Sequence, residues 1–300
     1  MSIRYNNFFR PARQLVKEVM SRSYPFVIKV YPLPDVRSID ETLDEIVENK
    51  RSIARYGDGE FLYLIDKLEL PFQRYDQKLA KKLKDILVLE DEKFMVGLPI
   101  GYHSMNNLTK SCSRFWKCQI AWIYPRLKKY LKPGKVYYNA SMTRVYSGFE
   151  DRSVSDGYFK KVMQIWDGRD VVLIEGEKSR LGVGNNLFST AKSLKRVLAP
   201  KHNAFDRYDD LYNEALKHDK STLILLALGP TATALSYDLY KAGYHTVDIG
   251  NVDIEYEWFL RGATKKIVIE GKYTSEVKGG REVDDVEDPL YASQIIASYL

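Results

Sequence analysis

Asp58 and Glu60 stand two residues apart in the stretch Arg55-Tyr56-Gly57-Asp58-Gly59-Glu60, each directly after a glycine. Glycine lets backbone or ligand approach closely. Carboxylates crowded into one turn repel each other unless a cation or a donor-rich ligand joins them. A hard divalent ion bridging to phosphate oxygens is the natural partner of such a pair. Acidic residues that complement a helix N-terminus also account for Glu60, though not for both acids.

Four further polar clusters follow apolar runs. Glu175 to Asn186 holds Gly176, Gly182 and Gly184 together with Lys178, Ser179 and Arg180, a set suited to a phosphate-bearing ligand. Its glycine spacing is not that of a Walker A loop, and Leu187 stands where a dinucleotide fingerprint needs a third glycine. Gly229-Pro230-Thr231-Ala232-Thr233 opens a helix, so its N–H groups and hydroxyls offer an anchor for phosphate or ribose, or Thr231 simply caps the helix. Asn139 to Arg144 places Arg144 to pair with a phosphate or with the nearby Glu150 or Asp151. Gly250 to Trp258 carries Asp253, Glu255 and Glu257 at alternating positions, which an extended strand would point one way. That array could supply a metal ligand, a general base or sugar contacts with Trp258 as a stacking surface, or it could be a solvated edge.

The elements that must position these clusters read as α/β. Ser38-Ile39-Asp40-Glu41 matches a capping box before a helix, and Ile53 and Ala54 lead into the acidic turn as a buried strand. Further strands are expected at Phe94 to Leu98, from Val136, at Val171 to Ile174, at Leu223 to Leu228 and at Val247 to Ile249. Helices are expected around Leu79 to Leu87, Phe115 to Leu131 with Pro125 kinking or dividing it, and residues 187–198, 206–217 and 231–242. Apolar strands alternating with amphipathic helices predict a mostly parallel, twisted sheet covered by helices on both faces. Ligands of such sheets bind beyond the carboxyl ends of the strands, where all five clusters fall.

Composition narrows the class. With 300 residues and 45% hydrophobic content the chain can bury a large core. No run approaches the roughly 20 apolar residues of a membrane span. No signal-peptide core precedes a cleavage site, and the two cysteines, Cys112 and Cys118, read as reduced thiols, so a cytoplasmic protein is expected. Residues 1–34 hold Arg4, Arg10, Arg13, Lys17, Arg22 and Lys29 against Glu18 alone, which is most of the net charge of +6. The remaining body is nearly neutral, so nucleic-acid binding gains no support. Pro11 could open a helix with Leu15, Val16, Val19 and Met20 on one face. Such a basic amphipathic helix docks an anionic membrane surface or a partner enzyme, or packs on its own domain. The organisation expected is a basic extension over 1–34 and one domain over 35–300.

From about residue 35 to the C-terminus, the acidic turn, the 175–185 loop, Gly229 to Thr233 and Asp253 to Trp258 together resemble the GT-D-type bacterial glycosyltransferases. The resemblance implies a Rossmann-like sheet and a UDP-sugar donor, with glucose or another hexose passed to a glycan or glycosylated-protein acceptor. It also implies a divalent metal, Mn²⁺ with Mg²⁺ as the alternative, and a role for Asp58 and Glu60 in donor binding. Asn251 and Asp253 are the further metal-ligand candidates. Arg55, Arg144, Lys178 and Arg180 are candidates to neutralise the leaving diphosphate, with Ser179, Gly182, Gly229 and Thr231 as neighbouring anchors. The family pattern carries base or ribose contacts onto Asn185, Asn203 and Phe205. Proton acceptance from the acceptor hydroxyl falls to Glu257 first by analogy, with Asp253 and Glu255 as the other candidates. One departure matters: the family often has histidine where this chain has Asn251, and asparagine cannot shuttle a proton. A non-catalytic member that binds a nucleotide sugar or a partner enzyme is therefore the competing expectation.

Overall fold

Capping chemistry at Ser38 fixes one boundary of the fold. Its hydroxyl accepts the Glu41 N–H at 3.1 Å, and the Glu41 carboxylate accepts the Ser38 N–H at 2.8 Å, the reciprocal pair that a capping box requires. The computed structural model describes residues 10–300, and Arg4 of the basic segment lies outside them. In chain order the elements are α1 (Arg10–Val30), β1 (Asp35–Val36), α2 (Ile39–Val47), β2 (Ser52–Arg55), α3 (Asp58–Asp66), α4 (Gln77–Leu87) and β3 (Phe94–Leu98). There follow α5 (Lys110–Leu127), β4 (Val136–Asn139), α6 (Ser155–Met163), β5 (Asp170–Gly176), β6 (Ser193–Ala199) and α7 (Tyr208–Ala215). The chain continues through β7 (Leu223–Ala227), α8 (Pro230–Lys241), β8 (His245–Asp248), α9 (Val252–Leu260), α10 (Pro289–Gln294) and β9 (Ile295–Ser298).

The strands form one sheet in the order β1-β4-β3-β2-β8-β7-β5-β6-β9, and each pairing is parallel. Side chains alternate along each strand, so neighbours in sequence enter different cores. Ile53, Met95, Leu173, Leu225 and Val247 pack with α2, α6 and α9. Ala54, Val96, Val172, Ile174 and Leu226 pack on the opposite face with α3, α4, α5, α7 and α8. Burial on both faces is why these strands read as continuous apolar runs, each large side chain contributing about 1.5–3 kcal/mol.

Two expectations about elements are corrected. Residues 187–198 are not a helix: turns carry the chain to Ser193, and β6 then pairs with β5 from Asp170↔Ser193 to Gly176↔Ala199. Leu187, Phe188 and Leu194 mimic a helical stripe, but Arg196 must cross to the buried Glu175 on β5, with Nη1 to Oε1 at 2.5 Å. Ladder pairing and that ion pair outweigh a weak helical propensity. The acidic array is not a strand either. Asp253, Glu255 and Glu257 lie on α9, where i and i+4 share a face and i+2 points elsewhere. Pro125 lies inside α5, and the helix ends at Leu127.

The topology also places the site. From β2 the chain steps outward through β3 to β4, then crosses to β5 and β6, and β7 and β8 return to meet β2. The carboxyl ends of β2 and β8 therefore adjoin at the point where the winding reverses, the position at which open sheets hold their ligands.

Candidate active site

A cavity of about 960 Å³ opens over these strand ends. β2 delivers Asp58 and Glu60 into it through the turn at Gly57, and β8 delivers Asp248. Gly57 caps α3, and its N–H donates to Glu60 Oε2 at 2.9 Å. A Cβ at position 57 would stand 2.9 Å from that same oxygen, so any larger residue there would require the Glu60 carboxylate to shift slightly. Burial raises the Asp58 carboxyl above its ordinary value and pushes Glu60 up to about 7, with Asp58 and Asp248 adding repulsion. Asp58 forms no ion pair among the described residues, whereas Asp248 is paired with Arg55 at 3.1 Å.

Arg55 borders the cavity but its guanidinium is committed. Beyond Asp248 it donates through Nη1 to the Ala140 carbonyl at 2.9 Å and to Thr143 Oγ1 at 2.6 Å. It thereby ties the ends of β2, β4 and β8 together. Gly250 adopts φ +46 and lies so close to the guanidinium that any Cβ there would collide with it.

Arg144 also reaches the cavity, where it pairs with Glu276 and lies 3.9 Å from Glu255. Neither Glu150 nor Asp151 is its partner among the described residues. Burial pushes Glu276 up, but Arg144 and Lys266 outweigh it and hold the carboxyl at about 2. Arg144 in turn is raised, chiefly by Glu276. Lys178, Ser179, Gly229 and Asn251 line the same cavity. Lys178 pairs with Asp285, whose side chain is 93% exposed, so the lysine is held by a partner that water can replace.

The acids of α9 separate by position and partners. Glu255 is buried in the cavity wall, with Oε1 accepting Ser147 Oγ at 2.5 Å and Oε2 accepting the Ser147 N–H at 2.8 Å. Asp253 and Glu257 lie on another face of the helix, outside the cavity lining. Lys272 donates to Asp253 Oδ2 at 2.7 Å and to Glu257 Oε1 at 2.9 Å, and Asn185 Nδ2 donates to both acids at 2.7 Å. Arg261 takes the remaining Glu257 oxygen at 3.1 Å. Burial pushes Glu257 up, yet the Asn185 and Lys272 bonds bring it below its ordinary value; Asp253 stays raised because burial wins there.

Other residues expected to contact a ligand have partners within the protein. Gly182 adopts φ +75 and donates its N–H to Asp253 at 2.8 Å, so with Asn185 it pins the 175–186 loop to α9. Arg180 is buried and donates to the carbonyls of Gly271 and Asp284, both at 2.8 Å. Asn203 accepts the Arg74 N–H at 2.8 Å, Phe205 packs on Tyr208, and Thr231 is fully buried beside Gln73. None of these is in the cavity wall. Cavity residues outside the sequence reading include Asp248, Lys266, Glu276, Phe72, Phe115, Trp116, Gln119 and Arg281. Asp248 could have been found, since it ends an apolar strand beside Ile249. Glu276 and Arg281 lie in an aperiodic stretch that carries no pattern.

Among the described residues, no three His, Cys, Asp or Glu side chains converge to cage a metal. Asp58 and Glu60 nonetheless fit one that is shared with a ligand. Divalent ions at phosphate sites are commonly bound by one or two carboxylates, with waters and phosphate oxygens completing the shell. An unpaired, partly buried carboxylate beside one poised near neutrality is a donor set that a cation would relieve.

Comparison with known proteins places this arrangement. A family model described as the glycosyltransferase GT-D fold matches residues 53–277, and the chain belongs to that family. It is 39% identical over 266 residues to glycosyltransferase GlyD of Streptococcus pneumoniae serotype 4, covering 88% of this chain and 32% of the relative. It is 37% identical to the probable glycosyl transferase Gly of Streptococcus gordonii, over 88% of this chain and 38% of that protein. The chain thus spans about a third of the length of these relatives. Among solved structures, a Streptococcus sanguinis domain described as a new glycosyltransferase superposes with a TM-score of 0.84 at 35% identity, covering 89% of this chain and all of that one. A domain described as having a distinct glycosyltransferase fold gives 0.83 at 35% identity, over 94% and 99% of the two chains.

Proposed function

We propose that the chain is a glycosyltransferase that moves a sugar, glucose or another hexose, from a UDP-linked donor to a hydroxyl of a glycan or glycosylated protein. The observation that carries this reading is Asp58, an unpaired carboxylate at the reversal point of a GT-D-fold sheet, facing a cavity lined by Arg144, Lys178 and Arg281. A divalent ion, Mn²⁺ or Mg²⁺, would be held by Asp58 and Glu60 and would supply charge neutralisation for the departing diphosphate. Lys178, Ser179 and Arg281 add donors for the same phosphates. Asn251 borders the cavity from the start of α9 and can offer its amide to a sugar hydroxyl or to the ion's shell.

In the transfer the acceptor oxygen bonds to the anomeric carbon while the bond from that carbon to the phosphate oxygen breaks. The bonding pair leaves with the diphosphate, and the acceptor proton passes to a carboxylate. Of the three acids on α9, Glu255 is the one that faces the cavity, so this reading gives the base role to Glu255 rather than Glu257. Arg144 steers that carboxylate without monopolising it, because its shorter ion pair is to Glu276.

Calorimetric titration with UDP tests the donor half. Binding should be detected and should tighten when Mn²⁺ is added, and Asp58→Ala should weaken the metal-dependent part at least tenfold. Absence of binding by any nucleoside diphosphate, with or without the metal, would falsify the reading.

A further inference from the structure

The cavity has two arms that differ in chemistry. Over β5, β6 and β7 it is lined by Lys178, Ser179, Lys201 and Gly229, with the Phe72 ring against Gly229. Over β3 and β4, on the far side of Asp58, it is lined by Phe115, Trp116 and Gln119 of α5, with Thr109 and Ser111 at the start of that helix. The second arm offers aromatic faces, an amide and hydroxyls.

From this division we infer that the α5 arm is the acceptor subsite and that its occupant is a neutral pyranose ring, an assignment that rests on the donor reading above. A pyranose presents apolar C–H faces and a rim of hydroxyls, so it stacks on an aromatic ring while neighbouring amides and hydroxyls take its edge. Phe115 and Trp116 provide a built surface for this. Their centroids lie 5.0 Å apart with planes at 76°, so the two rings meet edge to face and form a corner. Trp116 is fixed from behind by the turn at Ile100–Tyr102, where a Cβ on Gly101 would stand 2.6 Å from Trp116 Cβ and Cγ. Phe115 remains 42% exposed in the cavity wall, an apolar face kept in contact with water. The basic arm keeps the nucleotide, since Lys178, Ser179 and Lys201 line it together, whereas the cations that Cys112 of α5 feels, Lys266 and Arg144, are both engaged by Glu276. With the diphosphate anchored at Asp58 between the arms, a sugar on the corner lies on the side of the reacting centre away from the nucleotide.

The test uses the full chain and the methyl glycosides of glucose, galactose, mannose and N-acetylglucosamine, read by saturation-transfer NMR in the presence of UDP and Mn²⁺. UDP affinity is measured separately by calorimetry. At least one methyl glycoside should bind, and Phe115→Ala and Gln119→Ala should each weaken that binding at least fivefold while UDP affinity stays within twofold of wild type. Phe115 is partly solvent-facing, so its removal leaves the fold intact, and circular dichroism checks this. The assignment is overturned if none of the glycosides binds, or if both variants bind them as wild type does. It is equally overturned if Phe115→Ala costs UDP affinity in step, because the corner would then hold the nucleobase. Glycoside binding that is lost in Phe115→Ala while wild-type chain fails to bind UDP would sink the donor reading and leave the corner standing as a sugar site.

Discussion

Residues in one motif can divide the work in ways that spacing does not reveal. Asp253, Glu255 and Glu257 look equivalent along the sequence, and analogy favours Glu257. Burial and partners separate them: Glu257 accepts from Lys272, Asn185 and Arg261, whereas Glu255 turns to the cavity with Ser147 and Arg144. Two substitutions should therefore behave differently. Glu255→Gln preserves an oxygen for Ser147 and removes the proposed proton acceptor, so transfer should fall by about 100-fold or more with UDP affinity unchanged. Glu257→Gln removes a charge-assisted partner of Lys272 and should lower stability by about 2 kcal/mol in urea unfolding, with a smaller effect on turnover. Reversed outcomes would return the base role to Glu257. The turn that brings Asp58 and Glu60 to the cavity is legible because its glycine spacing is a local signature. Arg55 reads equally well as a phosphate ligand until its bonds to Asp248, Ala140 and Thr143 are seen.

Elements show where the sequence pattern stops being sufficient. The parallel sheet is visible in the apolar runs because strands buried on both faces leave no polar alternation to confuse them. β6 is hidden because its defining contact, Arg196 with Glu175, joins residues whose pairing depends on register. α9 is mistaken for a strand because Val252 to Leu260 is buried over most of its length, and buried helices lose the amphipathic period. The stretch between α9 and α10 has no period at all, yet it supplies Glu276 to the cavity wall and Lys272 to the acids behind it. Glu276 titrates near 2 in the folded chain, below the ordinary carboxylate range, because Arg144 and Lys266 overcome the effect of burial. Its contribution to stability is therefore complete above about pH 4.5 and fades as the pH falls toward 2. Glu276→Gln should lower stability at pH 7 and flatten that part of the acid limb, measured by urea unfolding at stepped pH. An unchanged acid limb would show that this ion pair does not hold the segment in place.

On the scale of the whole molecule, α1 joins two surfaces of opposite character. Its later half belongs to the domain: Tyr24 and Ile28 pack on the core, as does Leu33 just beyond its end, where Tyr124 of α5 donates its hydroxyl to the Pro32 carbonyl at 2.6 Å. Its earlier half leaves Leu15, Val16 and Val19 exposed beside Lys17 and Arg22, with Phe26 still 71% exposed further along. No helix among the described residues is long and apolar enough to cross a membrane, whereas a basic face with exposed apolar side chains suits the surface of an anionic bilayer. The boundary expected at residue 34 thus divides into two. Removing residues 1–20 should reduce sedimentation with phosphatidylserine-containing vesicles and leave both the melting temperature and UDP affinity unchanged. Removing residues 1–34 should in addition lower the melting temperature, because α5 would lose the apolar cover of Tyr24 and Ile28. Vesicle binding that survives the shorter truncation would assign the membrane contact to another face. An unchanged melting temperature after the longer one would make α1 an appendage, as the charge pattern alone suggests.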